Sequence, residues 1–229
     1  MKYKALLLAS LWTVNSQAQD KTWSGCYVGA SASFMESSNK WTTDVFNDLE
    51  DTLGFAGSAD ADDTSASIQF GCNFLESQDW VFGAKITASD NTLNASHRYL
   101  TNNESLDNFL SYETEDVVSI IGRVGFKASD NGLLYGNLGI TQSSNVYTDI
   151  ADTPFDFLFR TRESQRGVLI GVGYEHLISN GFSLFAEFNY TDLGDNGIVL
   201  EDLIAPPTDY RATVDQDLTQ FKLGVNYNF

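Results

Sequence analysis

Phe221-Lys222-Leu223-Gly224-Val225-Asn226-Tyr227-Asn228-Phe229 closes the chain with a strict alternation of large apolar residues and Lys, Gly or Asn. A period of two marks an extended strand with unlike faces. The bulky side here is aromatic and aliphatic, and the slim side is polar. A soluble barrel would turn its bulky apolar side inward. Repeated around a ring in water, an outward apolar side would expose far more than the few hundred Å² of apolar patch that a soluble monomer tolerates. Hydrocarbon is the solvent that suits it, with small and charged residues in a narrow lumen.

The same pattern recurs upstream. Trp80, Phe82, Ala84, Ile86 and Ala88 oppose Val81, Gly83, Lys85 and Thr87, and Leu184, Ala186, Phe188 and Tyr190 oppose Phe185, Glu187, Asn189 and Thr191. Val118, Ile120, Val124 and Phe126 alternate with Ser119, Ile121, Arg123 and Gly125, and Val168, Ile170, Val172 and Tyr174 with Leu169, Gly171, Gly173 and Glu175. Strands are predicted near 24–35, 64–75, 79–89, 115–127, 132–144, 164–178, 182–192 and 218–229. Connections after the second, fourth and sixth are short. Two contain Asn-Gly (Asn131-Gly132 and Asn180-Gly181), suited to the positive φ angles of tight hairpins. The other connections are long and polar and hold Pro154, Pro206 and Pro207, where no ladder N–H is lost. The predicted fold is all-β: an eight-stranded antiparallel up-and-down transmembrane β-barrel with short periplasmic turns and four long extracellular loops.

Composition and the N-terminus agree. Met1 to Lys4 is a basic n-region, Ala5 to Val14 an apolar h-region, and Ser16-Gln17-Ala18 a small-residue cleavage signal. Residues 1–18 read as a signal peptide and 19–229 as the barrel domain. The chain has 13 Lys and Arg against 31 Asp and Glu, for a formal charge of −18; losing Lys2 and Lys4 leaves 11 cations and a net −20. Nucleic acid is excluded as a partner, because phosphate contacts need a basic surface.

Seven stretches resemble the OmpA-like transmembrane barrel superfamily, specifically the small porin-like surface antigens of the outer membrane. They are Trp23 to Ala30, Gly71 to Phe74, Gly122 to Phe126, Leu134 to Gly139, Gly171 to Glu175, Ala186 to Gly194 and Val225 to Phe229, in that order over nearly the whole mature chain. The resemblance implies a bacterial outer-membrane location, termini in the periplasm, and a terminal strand whose Tyr227 and Phe229 are read by the outer-membrane assembly machinery. Cys26 and Cys72 depart from the pattern, which usually has apolar residues there.

Five charges take the inward parity at similar depth: Lys85, Arg123, Glu175, Glu187 and Lys222. Glu187 and Lys222 lie on neighbouring strands, and Arg123, helped by Lys85, can reach Glu175 or Glu187. Two readings stand, a polar gate and a buried salt-bridge plug; the narrow lumen of eight strands favours the plug. Cys26 and Cys72 fall at facing positions on the outward side near the periplasmic rim, either as a disulfide in an oxidising compartment or as two small apolar residues facing lipid. Asp60, Asp62 and Asp63 are weak metal candidates in an acidic loop that lacks EF-hand spacing and reads first as a solvated rim.

His97 and His176 are the only histidines, and neither accompanies a recognisable serine motif. No catalytic residues and no cofactor are assigned. The expected role is non-enzymatic: a structural scaffold presenting acidic loops for envelope integrity or for contact with a host or environmental ligand. A small porin-like channel and an adhesin or surface receptor are the alternatives. Outer-membrane lipid and lipopolysaccharide are the expected surroundings. A charge at Ile170 or Leu223 is expected to cost more than one at Asn226.

Overall fold

The computed structural model describes residues 23–46, 54–101, 104–151, 157–179, 181–204 and 209–229. The predicted signal peptide, the three prolines and Asn180 lie outside them. Nine strands follow one another: β1 Gly25–Phe46, β2 Gly54–Glu76, β3 Trp80–Thr101, β4 Glu104–Ser129, β5 Gly132–Ala151, β6 Phe157–Ser179, β7 Phe182–Val199, β8 Glu201–Asp202 and β9 Tyr210–Asn228. Eight of them form a closed antiparallel ring in the order β5-β4-β3-β2-β1-β9-β7-β6, with β6 pairing back to β5. The two-residue β8 adds to the upper end of β6. Among the described residues no helix is long and apolar enough to cross a membrane; the crossing is made by strands.

At the end where β1 begins and β9 finishes, strands and turns fall close to their predicted places. The turn between β4 and β5 differs in detail. Ser129 pairs with Gly132, so Asp130 and Asn131 make the two-residue loop and Gly132 already belongs to β5. Gly132 is not among the glycines with positive φ, whereas Gly181 is, at 81°. A side chain at Gly132 would run into the Tyr174 hydroxyl, 2.5 Å from where a Cβ would stand, so close approach selects that glycine.

At the far end, most of the length predicted as long loops is strand. β1 continues to Phe46 instead of stopping near residue 35, and β2 starts at Gly54 instead of near residue 64. β1 has 22 residues, or ~70 Å at ~3.3 Å per residue. A bilayer needs only ~9–11 residues per strand, so roughly half of the wall stands beyond it.

The outer face divides accordingly. Its lower half is a continuous apolar belt in which Ile68, Leu138 and Ile170 are 68%, 65% and 61% exposed. Trp80, Phe126, Phe182, Tyr227 and Phe229 flank it near the termini, with Trp80 packed edge-on to Phe126 at 5.5 Å. The belt ends at one collar: Glu36, Asp62, Asp90, Asp116, Gln142, Arg166, Asp192 and Asp217 take the next outward positions. Above it the outer face is mostly polar, with Phe55, Phe109, Ile150 and Val199 exposed near the far end, and the interior becomes mostly apolar.

Candidate functional site

Among the described residues, buried charge collects in the lumen. In its lower half Lys85 on β3, Arg123 on β4, Glu175 on β6, Glu187 on β7 and Lys222 on β9 are each no more than 3% exposed. Lys85 ion-pairs with Glu187 across the lumen, and Arg123 pairs with Glu175 at 2.9 Å. Ser183 and Asn226 donate to the other Glu175 oxygen at 2.5 and 2.8 Å, and Asn189 donates to Glu187 at 2.7 Å. Lys222 stands opposite Glu187 in the β7–β9 register, yet among the described residues the direct cation on Glu187 is Lys85. Paired and multiply hydrogen-bonded charges tolerate burial at lower cost than unpaired ones.

Three inward aromatics complete this layer. The Arg123 guanidinium lies over the Tyr135 ring at 4.4 Å and over Tyr27 at 5.5 Å, while the Lys85 ammonium stands 5.9 Å from the Phe185 ring. Each ring lies across a glycine in register: Tyr27 on Gly71, Tyr135 on Gly173 and Phe185 on Gly224. A Cβ at those glycines would approach the rings to 2.3–2.5 Å. The charge-centred reading of the sequence did not single these rings out as lumen residues. The signal available was an aromatic on the slim parity facing a glycine. Below them Trp23 packs with Val81, Leu133 and Tyr135, and its carbonyl accepts from Asn73 at 2.6 Å.

Above the charges comes a polar layer. Gln216 donates to Ser37 and Thr114 at 3.1 and 2.9 Å and accepts from Asn145 at 3.0 Å. An apolar core starts at Met35, level with Gln220, passes Leu93 and Leu193 beside the Gln216 layer, and fills the lumen above it with Trp41, Leu110, Tyr112 and Tyr147. Trp41 packs edge-on to Tyr112 at 5.7 Å and to Tyr147 at 6.1 Å. Phe46, Phe159 and Tyr210 pack edge-on to one another near the top, 5.0–5.9 Å apart. Asp149 is buried beside them, accepting from Asn108 at 2.7 Å and Tyr210 at 2.9 Å, and burial pushes its carboxyl up to about 6.

The remaining candidates are dispersed. Cys26 and Cys72 are directly opposed in the β1–β2 ladder and joined as a disulfide. Tyr227 packs on Phe182 at 5.2 Å on the outer face, and the Phe229 amide donates to the Cys26 carbonyl. Alternation sends Asp60 and Asp62 outward while Asp63 takes the opposite parity and accepts from the Thr64 amide, so the three do not converge. Among the described residues no cluster of three or more His, Cys, Asp or Glu is placed to hold a metal. His97, on the upper part of β3, bonds the Tyr112 hydroxyl at 2.7 Å, and burial lowers its pKa. His176 sits near the termini beside Tyr174.

A closed antiparallel ring with an apolar exterior and a polar, charged lower lumen is the architecture of outer-membrane barrels. The model of the outer membrane protein β-barrel domain matches residues 5–229, nearly the whole chain. The chain belongs to this family. It is 24% identical over 181 residues to the 31 kDa outer-membrane immunogenic protein of Brucella melitensis, covering 78% of this chain and 74% of that one. Its fold is similar to that of the outer membrane protein OprG from Pseudomonas aeruginosa, with a TM-score of 0.56 at 13% identity, covering 90% of this chain and 96% of that one. It is similar also to the outer membrane protease OmpT from Escherichia coli, with a TM-score of 0.59 at 8% identity, covering 90% and 97%. At such identities the likeness is one of fold. The family places the protein in the outer membrane of Gram-negative bacteria.

Proposed function

We propose that this family member is a non-conducting, non-catalytic surface scaffold whose far end faces the cell exterior and whose termini lie in the periplasm. The observation that carries the reading is the filled lumen. A Trp23 layer, an ion-pair layer, a Gln216-centred polar layer and an aromatic core follow one another along the axis. Eight strands enclose a space that side chains fill, and the described lumen residues are buried at every level, with Lys85, Arg123, Glu175 and Glu187 of the lower half engaged in ion pairs and hydrogen bonds. The tall upper wall then serves as a rigid pedestal, carrying an acidic outer surface and the hairpin tips to host or environmental contacts. Tyr227 and Phe229 are the residues for the assembly machinery to read in the terminal strand.

A planar-bilayer recording tests the reading. Purified folded protein is expected to give no discrete conductance steps, with Lys85→Ala/Glu187→Ala as the variant most prone to leak; steady steps from the unaltered protein would overturn it. Orientation is tested separately: a biotin tag in the segment 205–208 should be labelled by an impermeant reagent on whole cells, and one at the C-terminus should not.

A further inference from the structure

We propose that the outer face of β6 binds the phosphate of an outer-leaflet lipid, with Arg166 as the anchoring cation and Arg162 and Arg160 extending the site away from the bilayer. The proposal rests on the outward orientation of the far end given above. The first observation is the uneven charge of the collar. In three of the four hairpins directly opposed carboxylates stand at or next to the belt edge: Glu36 with Asp62, Asp90 with Asp116, and Asp192 with Asp217. Like charges facing each other across a ladder repel, and such sectors repel a lipid phosphate as well. In the fourth hairpin the corresponding pair is Gln142 with Arg166.

Arg166 is held for this purpose. Its Nε donates to the Gln142 side-chain oxygen at 2.8 Å, which holds the exposed guanidinium without using either terminal nitrogen. Val168, Ile170 and Val172 lie directly below it on the same face, each 60–61% exposed. A lipid whose acyl chains cover these three residues brings its headgroup to Arg166. Arg162, four residues on and ~13 Å along the strand, is held by Glu115 through two hydrogen bonds, one at 2.7 Å, across the buried Val146. Arg160 follows on the same face.

A second, independent observation concerns the backbone. β6 and β7 pair only as far as Val168 with Asp192, and β8 resumes the pairing at Phe159 and Arg160. Between these points residues 161–167 keep their ladder to β5 but have no partner strand on the other edge among the described residues. Alternate residues of an antiparallel strand direct N–H and C=O to opposite sides; at Gly167 the β7 backbone of Asp192 and Leu193 closes over this edge, and residues 161–166 above it face no described strand there. A guanidinium fork held at the belt edge, with no carboxylate directly opposite it, is a phosphate-recognising arrangement.

The test is binding in detergent micelles to bis-phosphorylated lipid A, to the same lipid dephosphorylated, and to inorganic phosphate, each read by native mass spectrometry. The unaltered barrel should retain the phosphorylated lipid and neither of the other two. Arg166→Gln should weaken retention about ten-fold, Arg166→Lys less because a point charge replaces a fork, and Arg98→Gln, far from the collar, not at all. Folding of each variant is checked by the mobility shift between heated and unheated samples. Equal retention by folded Arg166→Gln, or equal retention of the dephosphorylated lipid, would overturn the proposal. Displacement of the lipid by an equal concentration of inorganic phosphate would also do so, by showing a free-anion site. Micelles impose no orientation, so failure here strikes the phosphate site alone, and the whole-cell labelling strikes the orientation alone.

Discussion

Phe34 and Met35 are consecutive in β1, yet they belong to two different molecules in the physical sense. Phe34 points outward at the top of the apolar belt and is 48% exposed; Met35 points inward at the base of the upper core and is fully buried. Below this level the wall is apolar outside and mostly polar inside; above it the outer face is mostly polar and the interior mostly apolar. One set of strands runs through both regions without interruption. What changes is the solvent beyond the wall. In hydrocarbon, side chains outside can be apolar at no cost, and polar groups gather inside where they pair. In water, the hydrophobic effect drives apolar residues into the lumen, as in a soluble barrel.

The contrast can be broken from either interior. Glu187→Ala should remove ~3–5 kcal/mol of stability, because it leaves Lys85 buried without its ion-pair partner. Urea unfolding in vesicles measures this, and the double variant Lys85→Met/Glu187→Leu should recover most of it. Trp41→Ala should cost a similar ~3–5 kcal/mol by emptying the centre of the upper core. Hydrogen exchange should then show faster opening of the upper strands, with amides of the lower belt unchanged.

The outer face comes next in size. Ile170→Arg should cost ~2–4 kcal/mol near the membrane midplane, whereas Ser38→Arg, outward on the upper wall, should stay within ~0.5 kcal/mol. Equal costs would deny the change of solvent.

Proton uptake sharpens the comparison further. The Asp149 carboxyl is pushed by burial from 3.8 up to about 6, so the folded state holds this proton more tightly than the unfolded one. Its contribution to stability is fully present below about 3.8 and is lost as pH rises through about 6. Acidification from neutral pH should therefore slow exchange in the upper core, and Asp149→Asn should remove that dependence. The smallest effect belongs to the exposed bracket on the outer wall: Glu115→Gln should cost ~0–1 kcal/mol.

Why the lower barrel was legible and the upper was not follows from the same reversal. Outward alternation in β3 runs from Trp80 to Ala88 and stops; the inward apolar set Leu93, Ala95 and Tyr99 starts on the other parity. A reading that followed the apolar parity ended the strand at the collar and assigned the rest to loop. The same happened in β9, where Tyr210, Ala212, Val214 and Leu218 take the inward parity. The five charges were found because parity and depth alone bring them into one layer. Their partners depended on the distance across the lumen, so Lys85 meets Glu187 while Lys222, its ladder neighbour, does not ion-pair with it. Asn226 lies on the slim face as its parity implies, but what parity does not show is that it is buried, donates to Glu175 and accepts from Gln69 at 2.6 Å, so an arginine there would meet the plug.

The claim that one wall meets two solvents is tested most directly by nitroxide scanning along the outer face of β6, with single labels at positions 172, 170, 168, 166, 162 and 160 in lipid vesicles. Collision with oxygen should dominate at 172, 170 and 168, and collision with a water-soluble nickel chelate should dominate from 166 upward. A profile that stays oxygen-dominated through 160, or chelate-dominated through 172, would contradict the account.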